Sequence, residues 1–352
     1  MSTSERGSII SLAPGNLLPA WVPAFAGMSG VRGVGMERHS AADIAHFERH
    51  GWVLIEGLLR ADEIEAAYPG LFALYPTPEA FHAGEDARAR AYREGAGERA
   101  NQGDDPRFRP LQFAGLKEFP FADQTLNLLA LHPAIIATAE AVLGTRDVRL
   151  YQAETFAKYT GVTQYDQPLH VDYTNHTMLP PRRDGRWRQA QMFLYLSDVT
   201  LPHGATRIVS RELTRDAPLA DLTFPGARLP AETRAAWEAA AVSATGPRGS
   251  LLIYGADVVH RGTEMTLPGG GRFFFNLAYR VAGADWVGAN PWPRKGIAPG
   301  WQGLVEACSV RQLEALGFPP PGHDYWDAET LQGAQARYPG LDLTPWREAL
   351  LP

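Results

Sequence analysis

Between residues 148 and 280 the chain places short runs of β-branched and aromatic residues between glycine- and proline-rich turns. The runs at 148–160 (VRLYQAETFAKYT), 191–199 (QMFLYLSDV), 206–209, 251–254 (LLIY) and 272–280 (RFFFNLAYR) have the composition and bounded length of strands. Pro268 and three following glycines predict a turn into the last run, forming a hairpin in which Arg272, Phe274 and Asn276 share one face. Helical patterns flank this region. Ser40 is a suitable N-cap for a helix through His50, with Ile44 and Phe47 on its apolar side. A second helix is expected over 61–74, disturbed by Pro69 and Gly70, and a third over 122–143, split by Pro133. Further helices are expected at 310–316 and 328–338. Strands bracketed by helices predict a mainly β fold with flanking α: an antiparallel double-stranded β-helix, or cupin-like jelly roll, with helical support.

Residues 37–352 are expected to form a single domain, with a helical tail from about 283 that packs on the barrel, covers a pocket or makes a dimer contact. The segment 81–108 is charged and punctuated by glycine, predicting a mobile excursion or a partly helical lid. Within residues 1–36 the stretch 9–28 is apolar but interrupted by Pro14, Pro19 and Pro23, and the whole segment is expected to be a disordered extension with Met36 as an alternative start.

His170 and Asp172, followed by His260 and then Arg272, are the constellation with specific chemistry. Residues two apart in an extended strand point the same way, so His170 and Asp172 are expected to grip one ion from a single strand, with His260 closing the site from a distant one. Two imidazoles and a carboxylate on one face of a metal leave its other positions open, the donor set of a non-haem Fe(II) oxygenase. Tyr173 and Trp187 are candidate substrate walls, against the plain alternative of packed aromatics. The loop 180–188 (PPRRDGRWR) carries four arginines that either receive an anionic substrate or form a solvated basic surface. His176 and His203 read as supporting or surface residues rather than ligands.

With these residues in place the chain resembles the phytanoyl-CoA dioxygenase family of Fe(II)/2-oxoglutarate oxygenases. The likeness begins at 40–59 (SAADIAHFERHGWVLIEGLL) and continues through Gln152, Lys158, His170, Asp172, 204–211 (GATRIVSR), 249–254, His260 and Arg272. It implies that His170, Asp172 and His260 hold Fe(II), that 2-oxoglutarate chelates the metal and O2 takes a remaining position, and that Arg272 binds the distal carboxylate. Lys158 and Gln152 correspond to strand residues that contact cosubstrate or substrate. Many members have a hydroxyl residue two positions after the distal histidine; here Gly262 stands there, with Thr263 next, so that either Thr263 replaces it or the cosubstrate pocket differs. The implied reaction is a dioxygenation that hydroxylates a small organic substrate and releases succinate and CO2. Asp172 favours this over halogenation, in which a small residue replaces the carboxylate. A cupin-type metal oxygenase without 2-oxoglutarate and a noncatalytic metal-binding jelly-roll sensor are the alternatives.

Composition narrows the partners. A formal charge of −6 offers no general attraction for nucleic acid or an anionic membrane. Cys308 is the only cysteine, so no intramolecular disulfide forms, and a reducing cytoplasm is the expected setting. A small molecule, possibly anionic, is the expected substrate; oligomeric state is left open.

Overall fold

The computed structural model describes residues 37–99, 115–162, 166–172, 176–179, 181–182, 184–222, 229–288, 292 and 300–350. The expectation for residues 1–36, and those for Tyr173 and Arg183, lie outside them.

Six strands form the major sheet in the order β1-β7-β4-β9-β3-β2, and three form a minor sheet in the order β6-β5-β8. Their spans are β1 Trp52–Ile55, β2 Lys117–Glu118, β3 Val148–Tyr159, β4 Gln189–Tyr195, β5 Arg207–Ile208, β6 Val242–Ser243, β7 Leu251–Gly255, β8 His260–Arg261 and β9 Gly271–Val281. All the pairings are antiparallel. This is the jelly-roll, double-stranded β-helix architecture.

Alternation along the strands divides the core in two. Ala153 and Ala157 of β3, Met192 and Leu194 of β4, Leu251 and Ile253 of β7, and Phe273, Phe275 and Leu277 of β9 belong to a large cluster with the helical residues Leu128, Ile135 and Leu313. The intervening Tyr195, Leu252, Tyr254 and Phe274 face the other way and pack with Ala205, Ile208 and Val258 from the minor-sheet side. That second, concave face positions the chemistry.

The helices follow their local signals. Ala41–His50 is capped by Ser40 in a reciprocal capping box with Asp43. The 61–74 region divides into Ala61–Glu65 and Tyr68–Leu74, with Pro69 in the first turn of the second helix, where its missing N–H costs nothing. Gln124–Ala130 and Pro133–Leu143 are likewise separate. Together they are apolar enough to cross a membrane, yet 83% of that stretch is buried in the protein. The C-terminal helices Trp301–Ala307 and Val310–Leu316 pack on the outer, convex face, where Trp301, Leu304 and Leu313 join the large core.

Two expectations are narrowed to one of their alternatives and one is corrected. First, the described part of 81–108 is helical, as one of its two alternatives had it: it takes in the end of the helix Pro78–Ala83 and the helix Ala87–Arg99, and Ala89 and Tyr92 are buried. Phe81 stacks on Tyr159 at 3.8 Å, and Tyr92 donates to the Ala157 carbonyl at 2.7 Å. High average polarity conceals these few anchors. Second, His170 and Asp172 do not lie on a regular strand; β3 ends at Tyr159, and the later segment makes only an isolated antiparallel bridge between His170 and His260. Third, the described arginines of the 180–188 loop fit the solvated-surface alternative: Arg182 and Arg186 are exposed and paired with Asp184, and Arg188 is paired with Glu48.

Candidate active site

The His170–His260 bridge sets the metal-facing geometry. Each residue donates its backbone N–H to the other's carbonyl at 2.9 Å, bringing the imidazole centroids to 4.6 Å. His170 Nδ1 lies 2.8 Å from the Pro168 carbonyl and His260 Nδ1 3.0 Å from that of Val258. A carbonyl only accepts, so both rings carry hydrogen on Nδ1 and present an Nε2 lone pair to the interior. His170 Nε2 stands 3.5 Å from Asp172 Oδ1 and His260 Nε2 stands 3.3 Å from Oδ2. One donor atom from each residue fits within a mutual spacing of 4.8 Å. Two imidazole nitrogens and a carboxylate so arranged suit a divalent first-row metal.

Tyr254, unrecognised in the sequence, donates its hydroxyl to Asp172 Oδ2 at 3.0 Å. Burial alone would raise the Asp172 carboxyl, but the charge and hydrogen bonds of His260 and His170 hold it well below the ordinary value. For His170, burial opposes protonation, while the Asp172 hydrogen bond and charge raise its value overall. A bound cation would take the place of that proton between the same atoms.

Lys158 and Arg272 are direct cross-strand partners on β3 and β9. They are 2% and 3% exposed, an unusual burial for two neighbouring cations. Arg272 donates to the Gly204 carbonyl and, at 3.4 Å, to that of His203. Its guanidinium covers the Phe274 ring at 4.3 Å, and its Nε has no hydrogen-bond partner. Burial lowers Arg272 to about 10; burial and then the charge of Arg272 push Lys158 well below the usual amine range. A carboxylate suits this pair, since it supplies a compensating negative charge and an acceptor for the Arg272 Nε–H that has none.

Thr263 Oγ1 donates to the Ala205 carbonyl at 2.7 Å. At Gly262 a Cβ would sit 2.6 Å from Gln167 Oε1 and 3.6 Å from Lys158 Nζ. The amide oxygen of Gln167, which accepts the Gly262 N–H at 2.6 Å, therefore fills the space that a side chain at 262 would enter, with the lysine nitrogen just beyond it.

Gln152 shares a strand face with Lys158 but stands six residues away, roughly 20 Å along the strand. Its Nε2 donates to Glu154 at 3.1 Å, and its Oε1 has no partner. Glu154 pairs directly with Asn276, which also has a buried oxygen without a partner. At the β3 bulge, Tyr151 donates to Gln189 at 2.9 Å and accepts from Gln191 at 2.7 Å. His176 approaches this hydroxyl at 3.5 Å, and His203 Nδ1 is engaged by Thr200 at 2.7 Å. Trp187 is 45% exposed, has a φ of 58°, and meets Trp286 at 5.3 Å. The structure thus brings together the three metal-facing residues and, separately, the two cations; Gln152, Trp187 and Thr263 belong to neither group. Parity along 189–195 and 251–255 was the available signal for Gln191 and Tyr254, but it required knowing which face was concave.

A jelly roll carrying two imidazoles and a carboxylate on its concave side defines a non-haem metal oxygenase fold and donor set. The phytanoyl-CoA dioxygenase (PhyH) family model matches residues 47–267, and the chain belongs to that family of Fe(II)/2-oxoglutarate-dependent oxygenases. Its cofactor set is Fe(II), 2-oxoglutarate and O2. Arg272 lies five residues beyond the matched stretch.

Among solved structures, the non-haem α-ketoglutarate-dependent carbocyclase SnoK from nogalamycin biosynthesis is 17% identical, with a TM-score of 0.45, covering 70% of this chain and 86% of its own. AviO1 from Streptomyces viridochromogenes Tue57 is 17% identical, with a TM-score of 0.46 and coverages of 72% and 98%. HygX from Streptomyces hygroscopicus, with nickel and 2-oxoglutarate bound, is 14% identical, with a TM-score of 0.43 and coverages of 70% and 88%. No curated protein matches this chain in sequence.

Proposed function

We propose that this oxygenase hydroxylates a small organic substrate, with His170, Asp172 and His260 holding Fe(II) and with Arg272 and Lys158 holding the distal carboxylate of 2-oxoglutarate. The observation that carries the reading is the shared orientation of the two imidazoles: each Nδ1 is bound to a carbonyl and each Nε2 is directed toward Asp172. Bound iron supplies O2 activation coupled to conversion of 2-oxoglutarate into succinate and CO2.

The protein's own residues prepare that chemistry. Tyr254 restrains one Asp172 oxygen, while the backbone carbonyls of Pro168 and Val258 fix the imidazole tautomers. Phe274 and Tyr195, stacked at 4.9 Å, pack in the same buried cluster as Tyr254, and Phe274 lays an aromatic face against the Arg272 guanidinium. The buried charge of Arg272 favours a dicarboxylate over a neutral cosubstrate, which also argues against a cupin-type reaction without 2-oxoglutarate.

Metal content and succinate release provide the test. The account expects His170→Ala, Asp172→Ala and His260→Ala to lose iron and turnover together. Full turnover in any of these variants contradicts the ligand assignment. Asp172→Gly is expected to lose hydroxylation as well, because the third protein donor is removed.

A further inference from the structure

Two cations buried side by side cannot both remain charged without compensation. Lys158 and Arg272 are directly opposed on adjacent strands, which sets their Cβ atoms about 5 Å apart. The carboxylate that acts on Lys158, Asp166, is held by Arg261 at 3.1 Å and by the backbone N–H of Glu264 at 2.7 Å. Phe156 faces the lysine nitrogen from 5.9 Å. The other titratable groups about the pair are Tyr195 on β4, Tyr92 on the helix Ala87–Arg99, and His203 in the turn before β5. Neither tyrosine offers a negative charge at neutral pH, since burial raises both hydroxyls. His203 is displaced toward its neutral form by burial and by Arg272.

Guanidinium does not give up its proton under ordinary conditions, so any neutralisation falls on the amine. We propose that Lys158 is a free amine before cosubstrate binds and takes up one proton from solvent as the distal carboxylate of 2-oxoglutarate settles between it and Arg272. The inference rests on the cosubstrate reading above and adds a proton-linked step to it. The amine lone pair accepts the proton, and the resulting ammonium and guanidinium share the carboxylate. No other bond changes. Gly262 borders this arrangement: a Cβ there would lie 3.6 Å from Lys158 Nζ and 2.6 Å from the neutral amide oxygen of Gln167, which brings no charge to the pair.

The coupling makes binding weaken as pH rises, by about tenfold in Kd per pH unit while the free site is neutral and the bound site protonated. The test is anaerobic titration calorimetry of the Fe(II)-loaded, full-length protein with 2-oxoglutarate, run at one pH in HEPES and in Tris, whose ionisation enthalpies differ. The dependence of heat on buffer reads proton uptake directly, without turnover. About one proton is expected for the wild type and none for Lys158→Met. Lys158→Arg, which retains charge at all working pH values, is a second variant expected to show no uptake. Binding by the wild type with no buffer dependence overturns the proton-linked step and leaves the cosubstrate assignment standing. Failure of 2-oxoglutarate to bind the wild type overturns both.

Discussion

Tyr254 and Thr263 show how the destination of one hydroxyl decides a residue's role. Tyr254 donates to Asp172 at 3.0 Å, so Tyr254→Phe is expected to weaken Fe(II) binding by about 10- to 100-fold with little change in fold. Metal titration beside thermal melting separates those effects; unchanged affinity would mean that the carboxylate needs no orienting partner. Thr263 instead donates to the Ala205 carbonyl at 2.7 Å. Thr263→Val should therefore cost about 1 kcal/mol of stability and leave the 2-oxoglutarate Kd unchanged. A marked rise in that Kd would restore Thr263 to the cosubstrate pocket. At this scale residue type and spacing singled out His170, Asp172, His260 and Arg272, and the structure brings the first three together. Tyr254 and the Lys158–Arg272 pairing depend on strand register, and no local motif encodes register.

Between elements, the buried carboxylate of Glu63 joins the N-terminal segment to the helical layer. It accepts two hydrogen bonds from Arg38, at 2.6 and 3.0 Å, and lies 3.5 Å from His132 at the start of the helix Pro133–Leu143. Burial alone would raise Glu63, but hydrogen bonds from His132 and Arg38 depress it far below 4.5. A depressed folded-state value means that the unfolded chain binds the proton first. The associated stability is present above about pH 4.5 and is lost as pH falls toward the folded value. Glu63→Gln is expected to lower stability at pH 7 by about 3 kcal/mol and to flatten the acid limb of a Tm-against-pH curve. An unaltered acid limb would remove Glu63 from the account. The strands at 148–159 and 271–281 were readable because β-branched and aromatic runs end at glycine turns. The helix Ala87–Arg99 was readable only as one of two alternatives, since its fit depends on Ala89 and Tyr92 meeting surfaces supplied by distant chain.

Across the whole molecule, the C-terminal helices complete the outer core. Trp301, Leu304, Leu313 and Trp346 are buried in the same cluster as β3 and β9, and Gln312 donates to the Leu131 carbonyl at 2.9 Å. Ending the chain before Trp301 is expected to abolish cooperative unfolding, because the convex sheet face loses its cover; a sharp calorimetric transition in that truncation would contradict this. A tail of helices was legible in the sequence, but which surface it covered was not, since the choice depends on the three-dimensional apolar face opposite it. The central claim is that this fold brings a metal and 2-oxoglutarate together through the His170–Asp172–His260 set and Arg272. It is tested most directly by anaerobic absorption spectroscopy after adding Fe(II) and 2-oxoglutarate to wild-type protein and Arg272→Ala. The account predicts a weak visible charge-transfer band that requires both additions and is diminished in the variant at the same cosubstrate concentration. Tight Fe(II) binding with no band upon addition of 2-oxoglutarate would contradict it.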